Sequence, residues 1–98
     1  MSRRIRVRPG AERDIETAFA WYEEQRTGLG RQFLDELDVV YLRIAKSPFI
    51  YAELYRGLRR ARLRRFPVGV FYLVSELEVR IVAVIHRARS PRVWQSRG

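Results

Sequence analysis

Residues 56–74 read RGLRRARLRRFPVGVFYLV, so six arginines within ten residues stand directly before an apolar run. Successive side chains of a β-strand point to opposite faces of a sheet. A strand through the basic part projects Arg60, Arg62 and Arg64 to one face. Ala61 and Leu63 then point to the other face, where they can pack on a core. We therefore predict a strand that holds a line of positive charge on a rigid support.

Two interpretations of this basic strand are open from the residues alone. It could be a solubilising outer face, or it could be a surface that binds an anion. Side chains of mixed charge would be sufficient for solubility, whereas a strand whose side chains all carry positive charge is destabilised by their mutual repulsion. Arginine also suits bidentate recognition of phosphate or carboxylate groups. The pattern favours the anion-binding interpretation.

Three strands are predicted in this half of the chain, at about 58–66, 68–75 and 78–86. The polar connection SELE is short, so the last two strands should form a hairpin. The third of them, EVRIVAVIH, is nearly continuous in apolar residues. Such a run is typical of a strand that is covered on both faces.

Upstream, the residues 3–9 alternate between basic and apolar and predict a short strand that ends at Pro9. A helix then runs from Pro9 to the turn RTGLG, which has two glycines. A second helix follows and ends at Ser47-Pro48. Their apolar stripes comprise Ala11, Ile15, Ala18, Phe19 and Tyr22 in the first, and Phe33, Leu37, Val40, Tyr41 and Ile44 in the second.

The expected architecture is therefore α+β: an N-terminal strand, a helical hairpin, and then a three-stranded antiparallel sheet. Ninety-eight residues with 47% apolar side chains fit a single domain over 1–98. The chain lacks cysteine and has one histidine, so no metal site or cofactor is expected. No signal peptide or membrane-spanning stretch is evident, and we expect a cytoplasmic protein with no membrane partner.

Charge is distributed unevenly along the chain, whose net charge is +9. Residues 1–9 carry +4, residues 10–57 carry −3, and residues 58–98 carry +8. A nearly balanced middle between two basic ends indicates one strongly positive surface. Its partner should be anionic: nucleic acid, an acidic protein segment or anionic lipid.

The basic C-terminal part contains the other candidate residues. His86 is the only histidine, ends the third strand and is followed by Arg87 and Arg89. We expect it to have a hydrogen-bonding role; acid–base chemistry in RNA cleavage is the alternative, although no partner base is evident by spacing. Trp94 should dock the tail on the sheet, and stacking on a base or a partner side chain is its alternative.

The ordered set of motifs along residues 3–94 resembles the RelE/ParE superfamily of toxins from type II toxin–antitoxin systems, also called plasmid-stabilisation proteins. The motifs are WYEEQ (21–25), GLGRQFLDEL (28–37), RRFPVGVFY (64–72) and AVIHRARSP (83–91). The resemblance implies the fold predicted above. It also implies a cognate antitoxin with an acidic, partly helical segment, encoded by a neighbouring gene.

The resemblance leaves the target to be decided between two branches. RRFPVGVFY and VIHRARSP are more similar to the ParE-like branch, whose members poison DNA gyrase and arrest growth without being nucleases. The alternative is a RelE-like endoribonuclease that cuts mRNA on the ribosome. That branch tends to have an arginine where this chain has Pro67, Val68, Gly69 and Val70, and its C-terminal aromatic residue would here be Trp94. A second alternative is an antitoxin-binding module without toxicity.

These alternatives assign different roles to the same residues. For binding the target or the antitoxin, the candidates are Arg60, Arg62, Arg64, Arg87, Arg89 and Trp94. No catalytic residue is assigned to a gyrase poison. For an RNase the catalytic candidates are Arg60, Arg62, Arg64 and His86.

Overall fold

The computed structural model of the chain describes residues 2–98, which form five strands and three helices. The strands are β1 (Arg4–Val7), β2 (Glu53–Tyr55), β3 (Leu58–Arg62), β4 (Val68–Val74) and β5 (Glu78–His86). The helices are α1 (Pro9–Gln25), α2 (Leu29–Lys46) and α3 (Pro91–Gln95). The α+β class and the helical hairpin predicted from the sequence are confirmed.

The hairpin of α1 and α2 is defined by its turn. Pro9 starts α1, where a residue without an N–H leaves no helical bond unmade. Gly28 has a φ of 90°, a left-handed conformation that glycine adopts without strain, and α2 starts after it. Glu23 fixes this turn, because its carboxylate accepts bonds of 3.0 Å from the amides of Gly28 and of Gly30.

The sheet has the strand order β1-β5-β4-β3-β2 and is mixed. Strands β2 to β5 pair in antiparallel fashion, whereas β1 lies parallel to β5. Two features of the strand order differ from the prediction. The N-terminal strand joins the same sheet, because the helical hairpin provides the long crossover that a parallel pair needs. The three-residue strand β2 adds an edge that was not predicted.

The basic strand β3 ends at Arg62, earlier than the predicted end near residue 66. Glu36 of α2 accepts bonds from the backbone amides of Arg64 and Arg65 and thereby turns the chain away from the sheet. Arg64 therefore does not continue the row of Arg60 and Arg62, and the prediction that all three lie on one strand face is wrong for Arg64.

Both faces of the sheet are covered. On the helix side, Tyr22, Phe33 and Phe66 form an aromatic cluster with ring centroids 4.8–5.6 Å apart. The remaining fully or largely buried residues of this core include Ala11, Leu37, Val40, Ile44, Ala61, Leu63, Val70, Tyr72, Val79, Ile81 and Val84. Ala61 and Leu63 thus pack as predicted.

The second face of the sheet carries a smaller core of Leu58, Phe71, Val82, Ala83 and Ile85. Helix α3 packs here through Val93 and Trp94, which confirms that β5 is covered on both faces. This helix was not predicted, although Ser90 and Pro91 are typical of a helix start. The Ser90 hydroxyl accepts a bond of 3.3 Å from the Arg92 amide.

The burial of Tyr72 leads to a prediction about the stability of the fold at alkaline pH. Its side chain is fully buried and its hydroxyl donates to the Pro48 carbonyl at 2.9 Å. Burial raises the pKa of Tyr72 to about 12 despite the opposing charge of Arg59. The unfolded chain releases this proton near pH 10, so stability should fall as the pH rises from 10 to 12.

Tyr72→Phe should show a smaller fall of the free energy of unfolding between pH 9 and pH 11.5 than the wild type, measured by urea denaturation. Loss of the bond to Pro48 lowers its stability at pH 9 by about 1 kcal/mol, but that loss is the same at both pH values. Tyr55→Phe, at the half-buried edge of the sheet, is the control. Equal pH dependence in the wild type and in Tyr72→Phe would mean that the raised pKa of Tyr72 does not cause the loss of stability.

Candidate anion-binding site and adjoining groove

A small cavity of about 60 Å³ lies on the sheet face opposite the helical hairpin, at the end where β3 and β5 finish. Five of its lining residues are basic or potentially basic, and Trp94 forms one wall. We call it the basic cavity; its polar lining consists of Arg60, Arg62, His86, Arg87 and Arg89. Of the residues predicted from the sequence, only Arg64 lies outside the cavity.

Strand register brings these side chains together. Arg60 lies opposite Phe71 on β4, and Arg62 lies opposite Gly69. Gly69 in turn lies opposite Ile85 on β5, one residue before His86. A Cβ atom on Gly69 would lie 3.1 Å from Cδ of Arg60, so glycine allows the arginine side chain to lie close over β4. Gly69 was not recognised from the sequence, although an isolated glycine inside a strand signals such a close approach.

Trp94 is held in place by aromatic packing. Its ring stacks on Phe71 with centroids 4.8 Å apart and an interplanar angle of 13°. Tyr55 approaches it edge-on at 6.2 Å. The tail therefore docks on the sheet through Trp94, as expected, and the indole forms a rigid apolar wall beside the arginines.

The charges of the basic cavity are not compensated by acids. Within the part of the chain that the structure describes, no carboxylate lies within 4.0 Å of the guanidinium groups of Arg60, Arg62, Arg87 or Arg89. Burial, and secondly the charge of Arg62, lower the pKa of Arg60. A bound anion would relieve this repulsion and form charge-assisted hydrogen bonds with the guanidinium groups.

His86 is exposed and holds the turn that leads to α3. Its Nδ1 accepts a bond of 3.0 Å from the Ala88 amide, and its carbonyl accepts one of 3.0 Å from the Arg89 amide. The hydrogen-bonding role expected from the sequence is thus present. Among residues 2–98 no carboxylate orients the imidazole, so the cavity has no paired base of the kind that activates a nucleophile.

The described residues contain no group of three or more histidine, aspartate or glutamate side chains that could hold a metal ion. No helix within residues 2–98 combines the length and the apolarity that crossing a membrane requires.

A larger groove of about 550 Å³ adjoins the basic cavity on the helix side of the sheet. We call it the apolar groove; it lies between α1 and the end of β5 and shares His86 and Arg89 with the basic cavity. Trp21 on its α1 side is 56% exposed. The groove was not predicted, since it depends on the distance between α1 and a strand some 60 residues further along the chain.

Two solved structures of toxin–antitoxin systems share this fold. A chain of the chromosomal ParDE toxin–antitoxin system of P. aeruginosa superposes with a TM-score of 0.76 at 12% identity, covering 87% of this chain and 96% of that one. A chain of the RelBE2 toxin–antitoxin complex of Mycobacterium tuberculosis superposes with a TM-score of 0.64 at 19% identity, covering 89% and 100%. These identities are low, so the two likenesses establish the fold alone.

Sequence similarity establishes the family. Residues 5–91 match the family model described as the ParE toxin of the type II toxin–antitoxin system parDE. Toxin ParE2 of M. tuberculosis, from the CDC 1551 / Oshkosh and H37Rv strains, is 33% identical over 97 residues, which are 98% of this chain and 92% of the relative. The chain belongs to the ParE toxin family of type II toxin–antitoxin systems.

Proposed function

We propose that this ParE-family toxin poisons DNA gyrase in the cytoplasm and is neutralised by a cognate antitoxin. The observation that supports this most is the composition of the basic cavity. It concentrates positive charge from β3 and from the turn after β5, yet His86 has no carboxylate partner among the described residues. Such a site is suited to binding an anionic surface rather than to moving protons.

The basic cavity is proposed to contact the target or the antitoxin. Arg60 and Arg62 lie on a rigid strand, and Arg87 and Arg89 lie on the turn that Trp94 and His86 hold. Four uncompensated guanidinium groups around one cavity favour phosphate or carboxylate groups of a macromolecule. An acidic antitoxin segment that covers the cavity would block the target by occupying the same charges.

The second candidate function is ribosome-dependent cleavage of mRNA. It is favoured by one observation, the presence of Arg60, Arg62 and His86 in the same cavity, because guanidinium groups could stabilise a developing phosphorane charge. Against it, Val68 and Gly69 line the cavity where an arginine would be expected for the RelE-like branch. Trp94 also lacks the phenol with which a tyrosine could transfer a proton. An antitoxin-binding module without toxicity is the third candidate, and it predicts no growth arrest.

The experiment that tests the proposal is controlled expression of the toxin in a bacterial host with pulse labelling of new DNA and new protein. We expect growth to stop and thymidine incorporation to fall before methionine incorporation does. Co-expression of the neighbouring gene product should restore both. An early fall of methionine incorporation with continued DNA synthesis would contradict a gyrase target, and undisturbed growth would favour the module without toxicity.

A further inference from the structure

The first strand presents arginines that the basic cavity does not include. Ile5 and Val7 of β1 pack against the core on the helix side of the sheet. Because side chains alternate along a strand, Arg4 and Arg6 point to the opposite face, where both are exposed. We call these two arginines the β1 row. They are the basic half of the alternating pattern that predicted this strand from the sequence.

The charge of the β1 row is compensated only in part. Oε1 of Glu78 lies 3.9 Å from the Arg6 guanidinium and 3.8 Å from that of Arg80, which faces Arg6 in the strand register. Both distances exceed the length of a hydrogen bond. Nε of Arg80 is buried and has no hydrogen-bond partner among the described residues. With Arg4, three arginines lie around one loosely bound carboxylate, so this part of the sheet stays positive.

The β1 row and the basic cavity lie on the same face of the sheet. Ala61 packs on the helix side, so Arg60 and Arg62 point away from the helical hairpin, as the β1 row does. In the order β1-β5-β4-β3, three strand spacings separate the row from β3. At roughly 4.8 Å per spacing this distance is about 14 Å. The major groove of B-DNA is about 12 Å wide, so one duplex can meet both sites with the phosphates of its two strands.

The acids of the chain are concentrated on the other side of the molecule. Eight of the eleven lie on α1 and α2, the helices that cover the helix side of the sheet: Glu12, Asp14, Glu16, Glu23, Glu24, Asp35, Glu36 and Asp38. The molecule is therefore dipolar, with a positive sheet face and an acidic helical side. Such a distribution steers the sheet face toward a polyanion.

The positive face offers few apolar anchors to a protein partner. The exposed large apolar side chains of the described residues are Trp21, Val39, Leu42, Phe49, Ile50, Leu54 and Leu77. They belong to α1, α2, β2 and connecting segments, and none of them lies on β1, β3, β5 or α3. Protein interfaces depend on large buried anchors, whereas interfaces with DNA are polar and positively charged. The composition of this face therefore favours DNA over an acidic protein segment.

We propose that the sheet face opposite the helical hairpin binds the backbone of duplex DNA at two places, the basic cavity and the β1 row. Guanidinium groups of the two sites bond phosphates on either side of one groove. The inference deepens the proposed function and rests on it for the source of the DNA, since gyrase holds a duplex beside a bound toxin. The toxin then contacts the DNA of the gyrase complex directly.

The test measures binding of the purified toxin to a labelled duplex of about 20 base pairs by fluorescence anisotropy, between about 50 and 200 mM salt. Each phosphate contact adds roughly 0.9 to the slope of log Kobs against log salt concentration. Arg4→Gln with Arg6→Gln should therefore make the slope shallower by about 2. Arg60→Gln with Arg62→Gln should have an effect of the same size.

Arg13→Gln with Arg26→Gln is the matched control, since it removes the same charge from exposed sites on the helical hairpin. We expect its slope to stay within about 0.5 of the wild type, because these charges act on the duplex only through a screened field. An equal change of slope in the control and in the β1-row variant would mean that net charge alone is responsible. That result would overturn the β1 row as a DNA contact.

Two comparison ligands distinguish duplex DNA from other polyanions. Poly-glutamate of equal charge should bind at least about tenfold more weakly than the duplex, because its carboxylates are not arranged as two phosphate strands. Equal affinity would show that the face binds acidic protein segments and would overturn the DNA proposal. Tighter binding of a single-stranded RNA than of the duplex would overturn it as well.

The outcome is separable from that of the gyrase proposal, because the binding assay contains no gyrase. If both arginine pairs set the salt dependence but the toxin leaves gyrase unaffected, the inference stands and the target is wrong. If the toxin poisons gyrase while the slope is the same in the β1-row variant and in the wild type, the target stands and the inference fails.

Discussion

Replacing Arg62 and Arg89 together with alanine is expected to lower the potency of the toxin at least about 100-fold. Arg62 lies at the end of β3 and Arg89 on the turn after β5, and both line the basic cavity. A hydrogen bond to a charged group contributes about 1.5 to 3 kcal/mol, so two of them account for a factor of about 100 or more. The measurement is the toxin concentration that gives half of the maximal effect on the purified target.

The matched control is Arg13→Ala with Arg64→Ala, which removes the same charge from exposed sites outside the basic cavity. It should change potency by less than about threefold, since an exposed charge acts on the target only through the screened field of the molecule. Of the two control substitutions, Arg64→Ala is the closer match, because Arg64 lies only two residues from Arg62 in the same arginine-rich segment. Equal losses in both double variants would mean that net charge, and not the cavity, determines potency.

Asp14→Ala should lower the free energy of unfolding by about 3 kcal/mol. The Asp14 carboxylate binds the Arg97 guanidinium through two bonds and also accepts the Val84 amide. Both side chains are largely shielded from solvent, with 12% of Asp14 and 28% of Arg97 exposed. Removing one partner of a shielded ion pair leaves the other charge and a strand amide unpaired, which is strongly destabilising.

Urea denaturation at pH 7 measures this loss, and the melting temperature should fall by about 12–24 °C. Asp35→Ala is the control, because Asp35 pairs with Arg31 at 3.1 Å on an exposed helix surface. It should cost no more than about 0.5 kcal/mol. If Asp14→Ala costs no more than Asp35→Ala, the contact between α1 and the C-terminal tail does not stabilise the fold.

Much of the fold could be predicted because its signals are local. Pro9, the glycines near residue 28 and Ser47-Pro48 mark the helix boundaries, and the apolar run after residue 77 indicates a strand covered on both faces. The parallel pairing of β1 with β5 was not predicted, because it depends on the helical hairpin, which carries the chain back across the sheet as a long crossover. Strand β2 was not predicted, because three residues are too few to show an alternation of apolar and polar side chains.

Most residues of the basic cavity were predicted from the sequence, but the boundaries of the site were not. Alternation along a strand placed Arg60 and Arg62 correctly on the face away from the helices. It failed for Arg64, because a carboxylate from α2, 28 residues earlier in the chain, holds its amide and ends the strand. The contact of Asp14 with Arg97, which spans 83 residues, has no signal in the spacing of either residue.

We propose that this ParE-family toxin acts on DNA gyrase and not on the ribosome. The decisive assay incubates the purified toxin with gyrase and supercoiled plasmid, and in parallel with translating ribosomes and a defined mRNA. We expect DNA cleavage that requires gyrase, while the mRNA stays intact. Cuts at defined codon positions in the mRNA, with gyrase unaffected, would contradict a gyrase target and would make Arg60, Arg62 and His86 an active site.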